Sequence, residues 1–187
     1  MAYRNGTYVA FDGQGTTNPT QSDMRYYALL KGWNSSSYYD LHFSDSHSKT
    51  YQVRDSSMLE TLQHRLMERM RESKNMVVIL SDETNWDRGL LNFEIEKAVD
   101  FYEIPLIIAY TGYDAIWVVD NMLEKRWTKA LAERINNNSA KCIHVPFKER
   151  AIMEAISQFS VHSKGDDILT SSRTCYAKKV YERWGYL

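Results

Sequence analysis

Seven consecutive residues, Ile104-Pro105-Leu106-Ile107-Ile108-Ala109-Tyr110, present no polar side to solvent. A run of that length, rich in strand-favouring residues, must be covered on both faces, as central strands of parallel sheets are. Met76-Val77-Val78-Ile79-Leu80 repeats the pattern and Cys142-Ile143-His144-Val145 repeats it in shorter form. Pro105, which cannot donate to a ladder, fits only near the start of its strand. Helical spacing alternates with these runs. Leu91, Ile95, Ala98, Val99 and Tyr102 mark one buried stripe, Trp127, Leu131 and Ile135 mark a second within a helix over 123–135, and Ile152, Ala155, Ile156 and Phe159 mark a third. Strand-then-helix units in succession predict an α/β domain with right-handed crossovers.

The amino-terminal half completes the count. Tyr8-Val9-Ala10-Phe11 reads as a first strand, ended by Asp12-Gly13-Gln14-Gly15, where glycine eases a turn. Thr20 and Asp23 form a weak capping pair before a first helix that carries Met24, Tyr27 and Ala28. Tyr38-Tyr39-Asp40-Leu41-His42-Phe43 is the second strand, polar enough for an edge. Ser57-Met58-Leu59-Glu60 is a capping box opening a helix to Arg71, along the stripe Leu59, Leu62, Leu66 and Met70. Five strands in a doubly wound sheet predict the order 2-1-3-4-5. The domain spans 1–159. Residues 160–187, too few for a second domain, hold Ile168, Leu169, Tyr176, Tyr181, Trp184 and Tyr186 and are expected to dock on the domain or a partner.

Several function classes lose support at this point. A formal net charge of -1 over 187 residues supplies no general attraction for nucleic acid or an anionic membrane. No apolar window reaches membrane-spanning length and the first residues lack signal-peptide form, so a cytoplasmic protein is expected. Cys142 and Cys175 cannot build a disulfide framework or a metal knuckle. The five histidines show no ligand spacing, and strand-embedded His144 reads as structural. Gly13-Gln14-Gly15 lacks the third glycine and the immediate helix of a dinucleotide fingerprint.

In open parallel sheets a ligand binds beyond the carboxyl ends of the strands where the order reverses, here between the first and third. That crevice would gather Phe11, Asp12, Ser81, Thr84, Trp86 and the start of the third helix. At 100° per residue Glu94 lies beside the stripe of Leu91, Ile95 and Ala98, while Glu96 points further toward water, so Glu94 is the better enclosed acid. Glu83 and Glu96 remain alternative carboxylates.

Read together, Ala10-Phe11-Asp12, Lys31-Gly32-Trp33-Asn34, Phe43-Ser44-Asp45-Ser46, Ser73-Lys74-Asn75-Met76-Val77-Val78-Ile79, Thr84 and Phe93-Glu94-Ile95-Glu96-Lys97-Ala98 carry a resemblance. In order and spacing they resemble the TIR-like family of small flavodoxin-like domains, most closely its type in the Thoeris antiphage defence system. The likeness covers roughly the first three-quarters of the chain. Leu90 and Leu91 stand where the family usually has a Trp and an aliphatic residue. The resemblance implies an enzyme that takes NAD as substrate, with no resident cofactor or metal. It implies cleavage of the nicotinamide-ribose bond by Glu94 and release of a cyclic ADP-ribose-type messenger that reaches an effector protein. Phe11, Asp12, Asp45, Ser81, Thr84, Trp86 and Phe93 would line the substrate, and self-association would complete the site. The alternative is a non-enzymatic adaptor or self-association module of the same family. A phosphoacceptor receiver domain fits poorly, since the third strand ends in Leu80-Ser81 and not in an Asp.

Overall fold

The computed structural model describes residues 4–13, 20, 22–35, 43–44, 56–84 and 89–187. Six strands form one sheet in the order β2-β1-β3-β4-β5-β6, every pairing parallel. They are β1 Gly6–Ala10, β2 Phe43–Ser44, β3 Ser73–Leu80, β4 Leu106–Tyr110, β5 Cys142–Pro146 and β6 Thr174–Cys175. The expected order of the first five strands is present, and the sixth strand corrects the expected count. Part of the predicted second strand, 38–42, lies outside the described residues, as do Gly15 and the Ser57 side chain of the capping box.

Strand alternation divides the core into two layers. Tyr8, Ala10, Met76, Val78, Leu80, Leu106, Ile108 and Tyr110 face α2 Ser56–Arg71, α3 Gly89–Glu96 and α5 Lys129–Asn136. Val9, Phe11, Val77, Ile79, Ile107, Ala109, Ile143 and Val145 face α1 Met24–Ser35 and α6 Glu149–Gln158. This is why the runs at 76–80 and 106–110 carry no charged side chain: each residue is inside one layer or the other, and each large apolar one contributes about 1.5–3 kcal/mol by burial.

The third strand starts at Ser73, earlier than its apolar run, because Asn75 is buried for its hydrogen bonds. Its Nδ2 donates to Ile156 O at 2.8 Å and Phe159 O at 2.7 Å, and its Oδ1 accepts from the Thr7 hydroxyl at 2.8 Å. One amide thus ties β1, β3 and the carboxyl end of α6.

The predicted helix over 123–135 is two helices, a short α4 Asn121–Glu124 and α5. Asp120 caps the first, accepting from Met122 N at 2.9 Å and Leu123 N at 3.0 Å. Thr128 caps the second. The break lets Trp127 turn inward, where its Nε1 donates to Tyr110 Oη at 2.7 Å. Past α3 the chain widens into a π turn at Lys97–Phe101, and the predicted stripe of Leu91, Ile95, Ala98, Val99 and Tyr102 stays inside.

The segment after α6 is joined to the sheet. Cys142 N–H donates to Ser171 O at 3.1 Å, and Ile143 and His144 lie opposite Thr174 and Cys175. His144 Nε2 contacts Ser172 O at 2.9 Å, and since a carbonyl only accepts, Nε2 carries the proton. Nδ1 therefore accepts from Tyr110 Oη at 2.8 Å. The result is a one-way relay from Trp127 through Tyr110 and His144 to Ser172. Beyond it, α7 Lys178–Trp184 buries Tyr181 completely, with Tyr176 and Trp184 packed edge-on around it. Among the described residues no helix is long and apolar enough to cross a membrane.

Candidate functional site

Glu94 sits in the second turn of α3, which lies against β1, and only 2% of it is exposed. The Tyr8 hydroxyl, rising from the middle of β1, donates to its Oε1 at 2.5 Å. Burial pushes the carboxyl from 4.5 up to about 8, against the opposing effect of the Tyr8 bond. At neutral pH burial therefore favours the protonated form of Glu94. A carboxyl kept in that state is one whose charge responds strongly to what enters beside it. Glu96 is less enclosed, as the angular reading expected, and Glu83 is an exposed partner of Arg25 at 3.6 Å. Phe93, half-buried, has the Lys97 ammonium over its ring at 5.5 Å.

A second group of expected site residues gathers at the carboxyl ends of β1 and β3. Asp12 and Ser81 are both buried. Ser81 N–H donates to Thr84 Oγ1 at 2.9 Å and Glu83 N–H donates to Ser81 Oγ at 3.1 Å, so the turn after β3 is closed by its own hydroxyls. The Thr84 hydroxyl in turn donates to Asp23 Oδ2 at 3.0 Å. Asp23 enters the sequence reading only as half of a weak helix cap. In the structure it is fully buried and raised from 3.8 to about 6, chiefly by burial, with the Ser81 and Thr84 hydroxyls holding it down and the Asp12 and Glu83 charges pushing it up. The available signal was its place directly before the buried stripe of α1, where an acid next to Met24 has little water to reach.

Phe11 belongs to neither a wall of Glu94 nor its layer. An odd number of positions separates it from Tyr8, so it points to the opposite face of the sheet and stacks on Tyr27 with ring centroids 5.0 Å apart. Asp45 and Trp86 lie outside the described residues. A cavity of about 620 Å³ opens at the other end of the sheet, between Pro105, Lys141, Val161 and Leu169, and contains none of the expected site residues. Among the described residues no group of three or more His, Cys, Asp or Glu is placed to hold a metal ion.

Two groupings thus stand beside β1: an enclosed acid held by a tyrosine, and a hydroxyl-and-carboxylate cluster at the strand ends. Residues 8–116 match the family model described as the TIR-like domain of Thoeris protein ThsB. The match runs from Tyr8 in β1 to beyond β4 and takes in α3 and both groupings.

Proposed function

The chain belongs to the TIR-like family of Thoeris antiphage defence, and from that premise we propose that it is an NAD-cleaving enzyme in which Glu94 is the catalytic carboxylate. The observation that carries the reading is the enclosure of Glu94, which accepts a hydrogen bond from Tyr8. An acid 2% exposed is an uncommon surface residue and a natural partner for a developing positive charge.

The chemistry suits a carboxylate and little else. When the nicotinamide-ribose bond breaks, the bond electrons leave with the ring, which departs neutral from a cationic state, so no acid is required. What needs help is the oxocarbenium-like ribose. The cationic nicotinamide ring drawn in beside Glu94 lowers its pKa, the carboxyl releases its proton to water, and the carboxylate formed then holds the ribose hydroxyls and faces the developing charge. Attack by an atom of the same ADP-ribose gives a cyclic messenger that acts on an effector protein in the cytoplasm, and attack by water gives the linear product. Asp12, Ser81, Thr84 and Phe93 serve as substrate-lining residues, and association of two chains completes the site.

The test is to incubate the purified protein with NAD, with and without extract of infected cells, and to identify nucleotide products by mass spectrometry. Glu94→Gln should lower turnover roughly a hundred- to thousandfold. If cue-activated protein leaves NAD untouched and Glu94→Gln still protects cells, the adaptor reading replaces this one.

A further inference from the structure

We propose that Tyr8 is the positioning residue of the Glu94 site: its hydroxyl, anchored in β1, fixes the carboxyl's rotamer and favours its ionised form at the moment substrate arrives. The inference deepens the NAD-cleaving reading and rests on it.

The geometry is specific. Tyr8 is completely buried, its backbone held in the sheet between β2 and β3 by the pairings to Ser44 and Met76. Glu94 lies 86 residues away on the helix that crosses above, and the two meet at 2.5 Å, the short distance of a hydroxyl bonded to an acid. A strand paired on both sides is a stiff mount, so the donor stays where it is while α3 and its carboxyl are held to it. A phenylalanine would pack the same layer equally well. The Tyr8 hydroxyl lies in the layer of Ala10, Met76, Val78 and Leu91 and is bonded there to Glu94.

The electrostatic surroundings leave the role to Tyr8. Among the described residues, burial raises Glu94 and the Tyr8 bond opposes it. On the neighbouring elements, Arg134 of α5 is paired with Asp100 of the π turn, and Lys97 sits over Phe93. Since Tyr8 only donates to the ionised acid, loss of the hydroxyl disfavours ionisation, and a more acidic phenol favours it.

The test follows the acid limb of the pH profile of NAD turnover in wild type, in Tyr8→Phe, and in protein carrying 3-fluorotyrosine at position 8. The limb should move up by about one pH unit in Tyr8→Phe, the size expected for one hydrogen bond to a charged group. It should move down in the fluorotyrosine protein. A purely structural role would lower turnover at every pH without moving the limb, and an unmoved limb in both proteins overturns the proposal. Infrared titration of the carboxyl C=O band, assigned by its loss in Glu94→Gln, reads the same shifts with no substrate present. It therefore separates the two ideas: if wild type never cleaves NAD but the band moves in opposite directions, the NAD reading falls and the Tyr8 link stands. Should Tyr8→Phe unfold, the fluorotyrosine protein alone decides.

Discussion

Replacing Glu94 by Gln should make the protein more stable as the pH rises, and the size of the gain follows from the burial of the carboxyl. Folding raises Glu94 from 4.5 to about 8. Between those values the unfolded chain has released this proton and the folded chain has kept it, so the folded state becomes less stable with every unit of rising pH. Below 4.5 both states are protonated and nothing is lost; above about 8 both are ionised and the loss is complete. The slope is about 1.4 kcal/mol per pH unit, and the full window is worth about 5 kcal/mol. Glutamine is a neutral near-isostere that can still accept from Tyr8, so it removes the slope and keeps the contact. Urea unfolding of both proteins at pH 5, 6, 7 and 8 isolates the effect, because every other titrating group is shared and cancels. The stability difference should grow by about 3 kcal/mol in favour of Gln between pH 5 and 7. Difference curves that stay flat across that range would refute the enclosure of Glu94 as described. A side chain that weakens the fold at working pH and is abolished at no structural loss is the pattern expected of a residue kept for chemistry.

Two more predictions concern the relay and the amide that hold the sheet. Burial first, and the nearby Arg173 charge with it, lowers His144 from 6.5 to about 4 against the opposing Ser172 bond, so stability is full above 6.5 and falls as pH drops through about 4; the loss should reach about 3 kcal/mol in an acid titration followed by circular dichroism, and should be absent in His144→Gln. Asn75→Leu, which orphans the Thr7 hydroxyl and the Ile156 and Phe159 carbonyls, should lower the unfolding free energy by about 2–4 kcal/mol in urea, while the reverse polar loss at exposed Glu83→Gln should change it by less than about 0.5 kcal/mol.

The layers were legible because burial on both faces leaves an unbroken apolar run, and helices between such runs leave little choice of topology. What escaped the sequence depended on single side chains acting at a distance. Trp127, Leu131 and Ile135 keep helical spacing across the gap at 125–128, so periodicity joins two helices that Thr128 and Asp120 separately cap. Thr174 and Cys175 make a strand two residues long, below the length at which any pattern repeats. At the site, the enclosure of Glu94 could be read from its angle to a stripe on its own helix. Its partner could not, because Tyr8 looks like any aromatic in a strand until α3 is laid over it. Phe11 was misplaced by an assumption that strand ends share a crevice, when strand parity sends it to the other layer. Asp23 was overlooked for a related reason: what makes it unusual is the depth at which the turn after β3 meets α1, and depth is a property of the assembled chain.

The two residues of β6 also bear on how this edge of the sheet meets other chains. β5, from Cys142 to Pro146, is buried along its whole length, and β6 with Ser171 before it covers the amides and carbonyls at its amino-terminal part, which it would otherwise offer as a template. The outermost edge is then only two residues long and flanked by Arg173 and Lys178, a poor starting point for cross-chain pairing. Cutting the chain before Ser171 would strip that cover and leave a sticky, apolar edge strand, so a truncated protein that loses defence would be reporting aggregation before it reported anything about signalling.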